Sequence, residues 1–147
     1  MAVDMYSERP LFGGAIASTF PVRFQDVSNV RQVPDHQEVF VDPARDESLI
    51  FELLELKQDV ADNGSAAWFL QDLANEQDAE GTMLVEQSGV VEAPGLSFRT
   101  LPAIITTAVG QMVCISYLHV RKIGKGCRHF KLCMHLLSNS LFVCLFF

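Results

Sequence analysis

Residues 33–43 read Val33-Pro34-Asp35-His36-Gln37-Glu38-Val39-Phe40-Val41-Asp42-Pro43. Pro34 fixes its own φ and keeps the preceding residue out of the α region, so the stretch opens with an extended segment or a stiff turn. A strand is predicted from Glu38 to Val41, with Val39 and Val41 on one face. Asp42-Pro43 ends that strand, because proline cannot donate to a sheet ladder.

On the C-terminal side of this strand, the apolar pattern predicts two helices. The first runs from about Asp46 to Val60, since its apolar residues recur at helical spacing. These residues are Leu49, Ile50, Leu53, Leu54, Leu56 and Val60. Asp62-Asn63-Gly64 is a stop signal. A second helix is predicted from Ser65 to Asn75, burying Trp68, Phe69 and Leu73.

The flanking segments add strands. Leu11 to Ile16 is predicted as a short strand entered through a tight glycine turn, and Asp26 to Val30 as one helical turn. Thr82 to Gln87 and Ser97 to Val109 are predicted strands. Helices and strands mix without regular βαβ alternation, which favours an α+β domain with a largely antiparallel sheet.

Length and charge divide the chain unevenly. The 147 residues suit one domain, and a net charge of −7 argues against a nucleic-acid binder, which needs a basic face. Residues 1–112 carry 18 acidic and 6 basic residues, whereas residues 113–147 carry 5 basic and no acidic residues. We therefore predict a domain over residues 1–112 and a basic, Cys/Phe/Leu-rich tail of different origin over residues 113–147.

The tail also holds all four cysteines: Cys114, Cys127, Cys133 and Cys144. They form no tight C-x2–4-C knuckle with the tail histidines, so no metal site is expected. Leu132 to Phe147 is mostly apolar, but its 16 residues are fewer than the roughly 20 that a spanning helix needs. We therefore expect a monomer without membrane association, and a tail-anchored membrane protein is the alternative.

No pattern for catalysis is present. Ile123-Gly124-Lys125-Gly126 lacks the upstream glycine and trailing hydroxyl of a phosphate-binding loop, and no G-x-S-x-G elbow occurs. The acidic part holds one histidine, His36, and no cysteine, which leaves little for nucleophilic catalysis. We expect no catalytic residue, no cofactor and no enzymatic activity of its own. The N-terminus shows no secretory pattern, so an intracellular protein is expected.

Two acidic features are open to two readings. Asp35 and Glu38 lie around the proline-stiffened turn, where they form either a solvated loop or a binding element with both carboxylates facing solvent. Glu52, Glu55 and Asp59 would share the polar face of the predicted first helix. Such a stripe is either the wet face of an amphipathic helix or a docking surface for a basic partner.

Four blocks resemble the opening of the Ran guanine nucleotide release factor family, most of all its plant members. The blocks are Leu11-Phe12-Gly13-Gly14-Ala15-Ile16, Asp26-Val27-Ser28, Arg31-x-Val33-Pro34-Asp35-x-Gln37-Glu38-Val39-Phe40 and Ser48-Leu49-Ile50-Phe51-Glu52-Leu53-Leu54-Glu55. The resemblance covers about residues 11–112. It implies a sandwich of an antiparallel sheet between helices, similar to the PsbP protein of photosystem II, which would be incomplete at the C-terminus here.

The resemblance also implies a function. A member of this family binds the small GTPase Ran, promotes release of its guanine nucleotide and supports nuclear protein import, acting in nucleus and cytoplasm. Matching the motif places the family's release loop on Val33, Pro34, Asp35, Gln37 and Glu38, and further Ran contacts on Glu52 and Glu55. Because the tail departs from the family pattern, an inactive or regulatory splice isoform is the alternative.

Overall fold

The structure is a computed structural model that describes residues 3–45, 47–55, 57–76, 80–98, 101–114, 126–137 and 140–146. It contains nine strands and one α-helix in these ranges. The strands are β1 (Tyr6–Leu11), β2 (Ile16–Pro21), β3 (Gln25–Asp26), β4 (Gln37–Asp42), β5 (Glu47–Glu55), β6 (Leu84–Phe98), β7 (Leu101–Cys114), β8 (Gly126–Leu137) and β9 (Ser140–Phe146). The helix is α1 (Ser65–Glu76), and short 3-10 turns cover Phe12–Gly14, Asp62–Gly64 and Glu80–Thr82.

Seven strands form one sheet in the order β3-β4-β5-β9-β8-β7-β6, and β1 and β2 form a separate hairpin. Every strand pairing is antiparallel. The predicted α+β class with an antiparallel sheet is confirmed. In the described part of the chain, α1 is the α-helix that flanks the sheet.

The hairpin of β1 and β2 packs against β4 and β5 on one face of the sheet, with an aromatic core between them. This core consists of Leu11, Phe20, Phe24, Phe40, Leu49 and Phe51. Phe20 and Phe40 meet edge to face, with ring centroids 4.9 Å apart. Arg9 of β1 fastens the hairpin, because its guanidinium donates to Phe24 O at 2.7 Å and lies 4.6 Å from the Phe20 ring centroid.

Helix α1 packs near the other end of the sheet, against β6, β7 and β8. The predicted helix from Ser65 to Asn75 is confirmed. Its buried face consists of Ala66, Leu70 and Ala74, which are spaced four residues apart. Trp68, Phe69 and Leu73, predicted as buried, are only half-buried. The small alanines let the helix approach the sheet closely. Gly110 of β7 lies directly beneath, where an added Cβ would come 3.0 Å from Leu70 Cδ2.

The predicted helix over residues 46–60 is wrong, because this stretch contains strand β5. Leu49 and Phe51 are buried in the aromatic core, whereas Ile50 between them is half-buried and Leu53 is 36% exposed. A short apolar run fits helical spacing and the two sides of a strand equally well, so periodicity alone cannot separate them. Tertiary pairing decides, since β4 and β9 flank β5 on its two sides.

The predictions for the flanking segments have mixed outcomes. The helical turn predicted at Asp26 to Val30 is confirmed from Val27 onward, with Val30 N–H donating to Val27 O at 2.9 Å, whereas Asp26 is the last residue of β3. The strand predicted over residues 11–16 is wrong, because most of it is the tight turn joining β1 to β2. Strands β8 and β9 come from the basic tail and pair between β5 and β7. The predicted boundary at Met112 concerns the origin of the sequence and stays a prediction.

Candidate partner-binding surface

Residues 33–38, predicted to be the release loop, form a closed turn at the start of β4. Gln37 N–H donates to Pro34 O at 2.9 Å, which closes the turn around Asp35 and His36. Leu53 N–H donates to His36 O at 2.9 Å, so the end of the loop is tied to β5. Asp35 lies exposed at the tip of this braced turn. A carboxylate held this way is accessible to a partner while its backbone is already ordered.

Glu38 is placed differently from Asp35. It pairs with Phe51 in the β4–β5 register, on the same side of the sheet as the aromatic core. Its Oε1 accepts a hydrogen bond of 2.8 Å from the backbone N–H of Phe12, in the turn between β1 and β2. The expectation that both loop carboxylates face solvent holds for Asp35 and is wrong for Glu38, which is half-buried.

Glu52 braces the loop from β5. Its Oε1 accepts a 2.9 Å hydrogen bond from Gln37 Nε2 and lies 3.3 Å from His36 Nε2. The Glu52 side chain is 18% exposed. This carboxylate therefore serves two residues of the release loop and turns little of its surface toward solvent.

Glu52 and Glu55 do not share a surface. The prediction that they line one face of a helix is wrong, because both belong to β5. Successive side chains of a strand point to opposite faces, so residues three apart lie on opposite sides of the sheet. Glu55 is exposed on the side away from Glu52. Their predicted contacts with a partner cannot come from a single acidic patch, and each stays a prediction on its own.

A small apolar cleft lies on the Glu52 side of the sheet, and the sequence analysis did not predict it. It measures about 150 Å³ and is lined by Val27, Arg31, Val39, Val41, Ser48 and Ile50. The turn after β3 forms its rim, and β4 and β5 form its floor. The alternation of Val39 and Val41 indicated one side of the cleft. Ser48 and Ile50, which line its floor beside them, could not be predicted because β5 was assigned as a helix.

An ion network lies at the opposite end of β4 from the release loop. Arg23 Nη1 donates to Asp42 Oδ2 at 2.8 Å and also pairs with Glu47, while its Nε contacts Asp4 at 3.3 Å. The hydrogen bond from Arg23 lowers the pKa of Asp42 below its ordinary value, against the burial that would raise it. The network fastens the N-terminal residues and β5 to the corner after β2, and so has a structural role.

No group of three or more metal-ligating side chains was found among the described residues. Within the same residues, no helix is both long and apolar enough to cross a membrane. The side chains of the tail cysteines and histidines lie outside the described residues, so the expectation of no metal site there stays a prediction.

Fold and surface together define an α+β domain in which a braced acidic loop projects from the start of a sheet strand. The chain matches the family described as "Ran-interacting Mog1 protein" over residues 9–145, and it belongs to that family. The match crosses Met112 and includes most of the tail.

Relatives in animals and fungi carry related names. The chain is 45% identical over 71 residues to the Ran guanine nucleotide release factor of Danio rerio, covering 48% of this chain and 39% of that protein. It is 47% identical over 70 residues to the Homo sapiens protein of that name, covering 48% and 38%. For the nuclear import protein mog1 of Schizosaccharomyces pombe the identity is 41% over 70 residues, covering 47% and 37%. The chain thus spans about two fifths of the length of the curated relatives it matches.

A solved structure supports the fold. The crystal structure of the Saccharomyces cerevisiae Ran-binding protein Mog1p superposes with a TM-score of 0.66, covering 98% of this chain and 77% of that protein. The two sequences are 21% identical across this match, so the likeness concerns the fold.

Proposed function

We propose that this chain binds the small GTPase Ran, promotes release of its guanine nucleotide and thereby supports nuclear protein import. Membership of the Ran-interacting family and the names of its relatives support this proposal. The observation that carries it is the release loop, where a closed turn holds the exposed Asp35 at its tip. The protein acts as a GTPase regulator without an active site of its own, in nucleus and cytoplasm.

The mechanism is a coupling of two binding equilibria. A partner that binds nucleotide-free Ran more tightly than nucleotide-bound Ran must weaken nucleotide binding by the same factor. A thousandfold loss of nucleotide affinity requires roughly 4 kcal/mol of differential binding free energy. Asp35 would supply part of this difference by attracting the lysine or the magnesium ion that binds the phosphates of the nucleotide.

Bracing of the loop preserves that free energy. Pro34 restricts itself and Val33, the bond from Gln37 N–H closes the turn, and Glu52 holds the Gln37 side chain. A loop that is already ordered loses less conformational entropy on docking. More of the contact energy then remains to act on the nucleotide site.

Nucleotide release from Ran tests the proposal directly. The fluorescence of a labelled guanine nucleotide on Ran is followed after adding the full chain, its Asp35→Ala variant or a Glu76→Ala control on the exposed end of α1. The parent chain and the control should accelerate release, and Asp35→Ala should lose most of that acceleration with an unchanged Tm. A parent chain that leaves the release rate unchanged would refute the function. Equal acceleration by Asp35→Ala would refute the role of the loop carboxylate.

A further inference from the structure

The turn between β1 and β2 has an uncommon backbone. Phe12, Gly13 and Gly14 have φ angles of 51°, 69° and 91°, all in the left-handed region. Glycine adopts such angles freely, but for an aromatic residue they are rare and strained. Residues kept in such a conformation cluster at binding sites and active sites. The same residues belong to the first of the four blocks that resemble the family, and they lie outside the release loop.

Packing does not explain the two glycines. A Cβ added to Gly13 or Gly14 would meet no atom within 4 Å, and both residues are exposed. Their backbone faces open space, where another protein chain can approach to van der Waals distance. The glycines thus keep both the shape and the accessibility of the turn.

Glu38 ties this turn to the release loop. Its Oε1 accepts the 2.8 Å hydrogen bond from Phe12 N–H, across 26 residues of sequence. The side chains of Phe12 and Ile16 pack against the aromatic core beside it. The glycine turn and the first residues of β4 are therefore held as one body, and Glu38 forms a polar link between them.

We propose that the turn Phe12–Gly14 is a second contact surface for the GTPase, adjoining the release loop, and that Glu38 acts as its positioning residue. This inference rests on the proposed function. A segment of Ran passes over the backbone of Gly13 and Gly14 while Asp35 engages the nucleotide site. Glu38 then contributes through the Phe12 amide that it holds, so an uncharged acceptor of the same shape can replace it.

Ala15 offers a way to block this surface without straining the backbone. It follows the glycines, is exposed and has φ −65° and ψ −29°, a conformation open to any residue. Ala15→Trp in the full chain should raise the Kd for Ran at least about tenfold, since a bulky side chain would occupy the contact space. Thr19→Trp, on the exposed side of β2, is the matched control and should leave Kd unchanged.

Two Glu38 variants test the positioning role in the same assay. Glu38→Gln keeps an oxygen that accepts from Phe12 N–H and should bind Ran within about threefold of the parent, whereas Glu38→Ala should bind at least about tenfold more weakly. Equal weakening by both would show that the charge itself contacts Ran, and would overturn the positioning role. Thermal unfolding verifies that each variant is folded.

The Kd values of the parent chain and its variants distinguish failure of the second contact surface from failure of the proposed function. A parent chain that does not bind Ran refutes the proposed function, and the second contact surface falls with it. A parent that binds, together with an Ala15→Trp variant of equal Kd, refutes the contact surface alone. Weakening of the same size by Ala15→Trp and Thr19→Trp also refutes it, because the effect would not be local to the turn.

Discussion

Removing the Glu52 carboxylate should loosen the release loop and destabilise the domain together. Glu52→Ala deletes the acceptor of the 2.9 Å bond from Gln37 Nε2 and the contact with His36 at 3.3 Å. A hydrogen bond to a charged group contributes about 1.5–3 kcal/mol net. The bond from Gln37 to Glu52 contributes less than that upper value, because Glu52 is partly exposed and water competes for its carboxylate. The expected loss is about 1–2 kcal/mol of unfolding free energy.

Both readouts follow from that value. For a domain of this size the loss corresponds to a Tm lowered by roughly 3–6 °C. If the freed loop must be ordered again on docking, the acceleration of nucleotide release from Ran falls by roughly five- to thirtyfold. Glu52→Gln keeps an acceptor oxygen and should retain most of the stability.

Circular dichroism melts and release of a labelled guanine nucleotide measure the two effects. Glu55→Ala, three residues along β5 and exposed, is the stability control and should leave Tm within about 1 °C of the parent, as exposed charges contribute little. An unchanged Tm in Glu52→Ala would refute the bracing role. A lowered Tm with an unchanged release rate would show that the brace supports the fold and does not serve the loop.

The remaining predictions concern packing, pH and association. Gly110→Ala should cost about 1–3 kcal/mol because its Cβ would lie 2.7 Å from the backbone oxygen of Leu84, whereas Gly89→Ala, with its nearest atom at 3.9 Å, should change Tm little. Since the folded-state pKa of Asp42 is lowered, its stabilising contribution is present above about pH 3.8 and is lost as pH falls further. Asp42→Asn should therefore flatten the decline of unfolding free energy below pH 4, and an equally steep decline would contradict this. Glu55→Lys should slow association with Ran at low salt if Glu55 faces a basic patch, and an unaltered rate would remove it from the interface.

Part of the candidate binding surface could be predicted from the sequence. Pro34 dictated a stiff turn, and the alternation of Val39 with Val41 dictated the strand after it. The structure confirms both, and Asp35 is exposed as expected. The partner contacts assigned to these residues stay predictions, because the resemblance supplied them and no geometry of a complex tests them.

The geometry around Glu38 and Glu52 could not be predicted from the sequence. The bond from Phe12 N–H to Glu38 joins residues that are 26 positions apart, and no local pattern encodes it. Glu52 and Glu55 looked like neighbours on one helix face only because helical spacing was assigned to β5. Once the stretch is a strand, the same spacing sends them to opposite sides of the sheet.

What the sequence determined by itself is local. Helix α1, the helical turn after Asp26 and strand β4 follow from cap and stop residues, helical spacing and alternation that act within a few residues, although the buried face of α1 was not predicted. Tertiary structure decided the rest. An apolar run such as Leu49 to Leu54 is compatible with a helix and with a strand, and only hydrogen bonding to neighbouring strands decides between them. Strand β5 is hydrogen-bonded to β4 on one edge and to β9 on the other, and Leu49 and Phe51 are buried in the aromatic core against the β1–β2 hairpin. These long-range contacts, which no short window contains, set the strand, its faces and the brace on the release loop.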